Sequence, residues 1–94
     1  MNSEIFNDKL TAIIVSYHSG HIIEDLIKSI DKNVKIIIIE NSLNSKLKTN
    51  LEKKYENVQV VIPKQNLGNG GGINLGFNLV KTEFSLYLDV DTIP

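Results

Sequence analysis

With 94 residues, the chain is one domain or part of one, and a hydrophobic share of 41 % is enough to build a core. A formal net charge of -1, from ten lysines and no arginine scattered among eleven acids, gives no electrostatic reason to expect nucleic acid or an anionic membrane as a partner. The absence of cysteine excludes disulfides, thiolate metal sites and cysteine nucleophiles together, and no apolar run approaches a membrane span. Residues 1–10 form a polar leader with neither the basic nor the apolar region of a signal peptide, so a cytoplasmic location is expected.

The first apolar run, Leu10 to Val15, is rich in β-branched residues and reads as a buried strand. Ser16-Tyr17-His18-Ser19-Gly20-His21 breaks it. Ile22, Ile23, Leu26, Ile27 and Ile30 then recur at helical spacing, with Glu24, Asp25 and Lys28 on the other side. Asp31 to Asn33 ends this helix, and Val34 to Ile39 is a second strand with no face left for water. After Glu40-Asn41-Ser42, the residues Leu47, Leu51 and Tyr55 give a second helix with a narrow apolar stripe in a lysine-rich segment. Val58 to Ile62 is a third strand, stopped by Pro63, and Gln59 within it suits an outer position. A glycine-rich run, Gln65 to Gly72, leads into Ile73, Phe77 and Val80 at helical spacing. The fourth strand, Phe84 to Leu88, follows.

This order, β-α-β-α-β-α-β, predicts one α/β domain over residues 11–94: a doubly wound, mostly parallel sheet of four strands with three helices. In such sheets ligands sit beyond the carboxyl ends of the strands, where the strand order reverses. The polar breaks at Ser16 to Ser19, Glu40 to Ser42, Asn66 to Gly72 and Asp89 to Asp91 all fall on that rim.

Asp89 and Asp91 are spaced i, i+2 at the end of a strand, which can bring both carboxylates to one face. Two close carboxylates repel unless a cation lies between them, and a hard divalent ion holding phosphate oxygens is the usual occupant. Taken alone, the pattern is equally a strand ending in a polar turn. Glu40 follows a wholly apolar strand, so its carboxylate is expected to emerge at the rim and accept bonds from a ribose or base. Tyr17 can offer its ring to a nucleobase, or simply close the edge of the core. Four glycines within five residues cost conformational entropy at a helix start, which a close backbone approach or a positive φ would offset. Free N–H groups there suit a diphosphate. The run is not the dinucleotide fingerprint, which belongs to the first strand-helix turn, nor a Walker loop. His18 and His21 read as solvated loop histidines.

Taken together, Ala12 to Ser19, Ile37 to Ser42, Gln65 to Gly76 and Leu86 to Asp91 resemble the nucleotide-sugar-binding half of a family 2 glycosyltransferase of GT-A fold. The Asn-Leu-Gly-x-Gly-x-Gly-x-Asn-x-Gly run looks most like the rhamnosyltransferase-like branch. The resemblance covers about Thr11 to Asp91. It implies a donor site made from Ser16, Tyr17, Glu40, Asn66, Gly68, Gly72, Asn74 and Asp89. Tyr17 and Glu40 would lie near the base and Asp89 near the ribose and donor sugar. Asp91, with Asp89 beside it in a DxD motif, would hold Mg or Mn against the diphosphate. It further implies sugar transfer with inversion from a UDP-, dTDP- or GDP-linked donor to a saccharide or lipid-linked acceptor. This is hexosyltransferase chemistry of the kind used in polysaccharide biosynthesis, with peripheral membrane attachment compatible with it. Three positions depart from the family pattern: Glu40 replaces the usual aspartate, His18 a common asparagine, and Ile73 a polar or basic residue.

The general base that deprotonates the acceptor is expected beyond Pro94. The chain therefore reads as a donor-binding N-terminal portion, inactive alone, with the outer edge of its last strand prone to association. Two other functions fit the same elements less well. A sugar-1-phosphate nucleotidyltransferase would carry its glycine cluster and basic residues after the first strand, where this chain has neither. A non-catalytic nucleotide-binding module would need no acceptor region.

Overall fold

The computed structural model describes residues 8–90. Four strands and three helices alternate: β1 (Leu10–Ser16), α1 (Gly20–Ser29), β2 (Lys35–Glu40), α2 (Ser45–Lys54), β3 (Val58–Val61), α3 (Gly68–Leu79) and β4 (Phe84–Leu88). The sheet is parallel throughout, in the order β3-β2-β1-β4. The chain winds outward from β1 to β3, then returns through α3 to the far side of β1. Strand order reverses between β1 and β4, and that return puts α3 on the opposite face from α1 and α2.

Period-two alternation assigns the faces. Ala12 and Ile14 of β1, Ile36 and Ile38 of β2, and Val58 and Val60 of β3 join Ile23, Leu26, Ile27 and Leu51 in the main core. Val15, Ile37 and Ile39 face the other way, against Ile73, Leu75 and Leu79 of α3. Both faces of β1 and β2 are thus covered, which is why their sequences are apolar without alternation. The α1 stripe meets the sheet through Ile23, Leu26 and Ile27. Helix α2 begins at Asn44, whose side chain accepts from the N–H groups of Lys46 and Leu47, and ends with Lys53 and Lys54, which suit the negative end of its dipole.

The third helix starts inside the glycine run, where a loop was expected to precede it. Gly70, Gly71 and Gly72 are helical, and Gly72 and Gly76 are buried one turn apart against β1. A methyl group at Gly72 would come within 2.9 and 3.0 Å of the two Val15 methyls, and one at Gly76 would overlap Ile13 Cγ2. These two glycines let the helix backbone lie directly on the sheet, and the resulting contact offsets their entropic cost.

The outer edge of β3 is not left open. Lys48 Nζ donates to the Val60 carbonyl at 2.7 Å, and the Val60 N–H donates to Glu52 Oε2 at 2.8 Å, with Lys48 and Glu52 themselves paired at 2.8 Å. Two side chains of α2 therefore take the place of a neighbouring strand. The hydrogen bond from Lys48, reinforced by the Val60 N–H, holds the Glu52 carboxyl below its ordinary 4.5 despite partial burial. A carboxyl lowered in the folded state gives its full stabilisation above the ordinary value and loses it as pH falls through the lowered one. The stability difference between the natural protein and Glu52→Gln, read from urea midpoints, is therefore expected to be constant above about pH 5 and to shrink steadily below pH 4.5. A pH-independent difference would show that the pair carries none of it. No described helix is long and apolar enough to cross a membrane.

Candidate functional site

The carboxyl ends of β1, β2 and β4 and the segment leading into α3 surround a cavity of about 380 Å³. It is lined by Val15, Tyr17, Ser19, Asn41, Asn66, Gly68, Asn69, Asp89 and Val90. Among the described residues Asp89 is the one carboxylate in this lining, and no lysine contributes to it. A larger cavity of about 630 Å³ lies at the opposite end of the sheet, among Lys32, Lys35, Asn57 and Lys81. The smaller one is the candidate site, because it sits at the carboxyl ends of the strands beside the β1/β4 reversal and collects the polar loops.

Four of the residues expected to bind a donor line this cavity: Tyr17, Asn66, Gly68 and Asp89. Tyr17 is 56 % exposed and its ring meets the edge of the His18 ring at 4.3 Å. His18 itself has a left-handed backbone, φ 53°, and its N–H donates to Ser42 Oγ at 3.3 Å. Asn66 Oδ1 accepts from the N–H of Gly68, the residue at φ 72° that admits the chain to α3. His18 and His21 are both exposed, His21 within the first turn of α1, and no metal-holding cluster of three or more His, Cys, Asp or Glu occurs among the described residues.

The other four lie elsewhere. Glu40 was expected to reach out at the rim, but it is completely buried. It shares the face of Ile36 and Ile38, so its carboxylate turns under the β2–α2 loop, where Oε2 accepts from Ser42 Oγ and from the Asn44 N–H at 2.8 Å. Its Oε1 and the hydroxyl of buried Ser16, its in-register partner on β1, have no hydrogen-bond partner among the described residues. Gly72 faces Val15 and Asn41 rather than open space. Asn74 is exposed on α3 and does not line the cavity. Asp91, the second expected metal ligand, lies outside the described residues.

Asn41 was not singled out in the sequence, yet it joins two sides of the site. It is 3 % exposed, and its side chain donates to the Gly68 carbonyl at 2.9 Å and accepts from the Leu67 N–H at 3.1 Å. The signal was present: if Glu40 ends a strand on one face, the next residue turns to the other, towards the glycine run. Asn69, an asparagine of the glycine run that the sequence offers as a further donor, lines the cavity and accepts a hydrogen bond from the Tyr87 hydroxyl at 3.3 Å.

A model of glycosyl transferase family 2 matches residues 11–94, almost the whole chain. The chain belongs to glycosyl transferase family 2. No curated protein matches this family 2 chain. Ten chains of solved structures do match it, among them a crystal structure of residues 1–349 of S. aureus TarS, with a TM-score of 0.72 and 24 % identity over 88 % of the present chain. That likeness is one of fold, the Rossmann-like half of a GT-A domain, and the chain spans 27 % of the TarS chain.

Proposed function

We propose that the cavity at the carboxyl ends of the strands binds the nucleotide part of a nucleotide-diphosphate-sugar, and that the protein transfers the sugar with inversion to a saccharide or lipid-linked acceptor. The observation that carries this reading is that Tyr17, Asn66, Gly68 and Asp89, drawn from three separate loops, line one cavity at the β1/β4 reversal of a family 2 chain. Tyr17 offers an exposed ring face to a base. Asn66 and Asn69 bring amide groups and Asp89 a carboxylate towards ribose, sugar or metal.

The lining fits a hard cation. Among the described residues its side-chain oxygens come from Asp89, Asn66, Asn69, Ser19 and Tyr17, and no described lysine or arginine lines it that would otherwise balance a diphosphate. Asp89 and Asp91 would hold Mg or Mn, completed by phosphate oxygens and water in the usual way for Mg. When bound, the metal supplies positive charge to the departing nucleoside diphosphate. The chain's own residues hold the base and ribose and keep the sugar's reacting carbon open on the side away from the diphosphate. The acceptor hydroxyl attacks there, the carbon–oxygen bond to the diphosphate breaks, and the hydroxyl proton passes to a general base. The Asn66 to Gly76 run favours the rhamnosyltransferase-like branch.

Calorimetric titration with UDP, dTDP and GDP, with and without Mn, tests the reading. One of the three is expected to bind at least tenfold more tightly with Mn, and Asp91→Ala to remove that gain. Metal-independent NAD binding in place of this would favour a plain dinucleotide fold.

A further inference from the structure

We infer that Asn41 is a positioning residue of this cavity: its amide straps the segment carrying Asn66 and Gly68 to the end of β2, and so fixes the cavity's far wall. Both ends of the amide are used, with Nδ2 donating to the Gly68 carbonyl and Oδ1 accepting from the Leu67 N–H. Its orientation follows from these partners, since a backbone N–H needs an oxygen and a carbonyl needs an NH₂. The backbone of Asn41 is fastened in turn, its N–H donating to the Ser16 carbonyl at 2.7 Å. A continuous line of hydrogen bonds therefore runs from β1 through Asn41 to the segment before α3.

The surroundings are shaped for this side chain. A methyl group at Gly72 would stand 3.3 Å from Asn41 Nδ2, so glycine there leaves room for the amide as well as for Val15. Gly68 takes the left-handed conformation, at φ 72°, at the strapped residue itself. The neighbours of Asn41 fasten the other two loops. Glu40 binds Ser42 and the Asn44 N–H, and Ser42 Oγ accepts from the His18 N–H beside Tyr17. Three consecutive residues at the end of β2 thus secure three loops of the rim. The strap stands on this geometry alone, and only its service to a donor rests on the proposed function.

Asn41→Leu keeps the volume and removes both bonds. By NMR amide exchange at neutral pH, the Leu67 amide is expected to lose at least tenfold of its protection in this variant, while the Ile37 to Ile39 amides keep theirs. Asn41→Asp keeps the bond to Leu67 and sets an oxygen against the Gly68 carbonyl. The Asn66 to Asn69 amide signals should then shift with pH as that carboxyl takes a proton and regains a donor, a step absent from the natural protein and not expected of a residue that merely fills space. Unchanged Leu67 protection in Asn41→Leu, or no such pH step in Asn41→Asp should the first variant fail to fold, overturns the inference. With Mn and whichever of UDP, dTDP and GDP the natural protein binds as probe, both variants are expected to bind at least fivefold more weakly at pH 7. A natural protein that binds none of UDP, dTDP and GDP with Mn would defeat the donor reading, and the exchange comparison would still decide the strap.

Discussion

Gly76→Ala is expected to lower stability by about 1–3 kcal/mol, towards the upper end, and to bring the melting temperature down by roughly 10 °C. The added methyl would overlap Ile13 Cγ2. Ile13 cannot yield easily, because it is fully buried in β1, the strand that pairs on both sides with β2 and β4. Relief requires α3 to lift off the sheet, which would open Val15 and Ile37 to water. Gly70 provides the control. It is helical, its φ is not in the left-handed region, and a methyl there meets nothing within 4 Å. Gly70→Ala is expected to raise stability by about 0.5 kcal/mol through helix propensity. Thermal melts of the two variants read the contrast directly, and equal effects would contradict the close packing assigned to α3.

The second large effect concerns Glu40. Glu40→Ala leaves the Ser42 hydroxyl and the Asn44 N–H without their acceptor beneath the β2–α2 loop, at an expected cost of about 2–3 kcal/mol. Leu43, already at φ 61° in that loop, would lose the contacts on either side that hold it there. Glu40→Gln distinguishes the two roles open to this residue. Its amide oxygen keeps both acceptor contacts, and its NH₂ replaces the unpartnered Oε1 on the face shared with Ser16. If Glu40 works from inside the fold, Glu40→Gln should be as stable as the natural protein and bind nucleotide as well. Natural stability combined with lost binding in this variant would instead show the carboxylate reading the base, as the family resemblance implies.

These two residues also mark how far the sequence could be read. The strands were legible because β1 and β2 are covered on both faces, and a double-sided burial leaves an uninterrupted apolar run. Gln59, the polar exception in β3, signalled an outer strand, and β3 is indeed at the edge. The first three polar breaks, and Asp89 at the start of the fourth, lie at one rim, since every parallel strand must end there. Side-chain direction was less accessible. Glu40 and Asn41 are adjacent in sequence, but period-two alternation sends one into the core beneath α2 and the other to the glycine run. The glycines carried a different ambiguity. Composition shows only that something approaches closely at Gly72 and Gly76, and the structure supplies Val15 and Ile13. The covering of the β3 edge by Lys48 and Glu52 was illegible, because an i, i+4 lysine-glutamate pair usually faces solvent.

The most direct test of the donor cavity uses the paramagnetism of Mn. Substoichiometric Mn with UDP is added to the ¹⁵N-labelled protein, and the loss of amide signals is mapped along the chain. The two ends of β1 are roughly 20 Å apart, so the two cavities are distinguishable. Signals from Ser16 to Ser19, Asn41, Asn66 to Asn69, Asp89 and Val90 are expected to broaden first, and those of Lys32 to Lys35, Glu56 to Gln59 and Lys81 to persist. Broadening that begins in the second group would place the ion at the wrong end of the sheet and contradict the donor site.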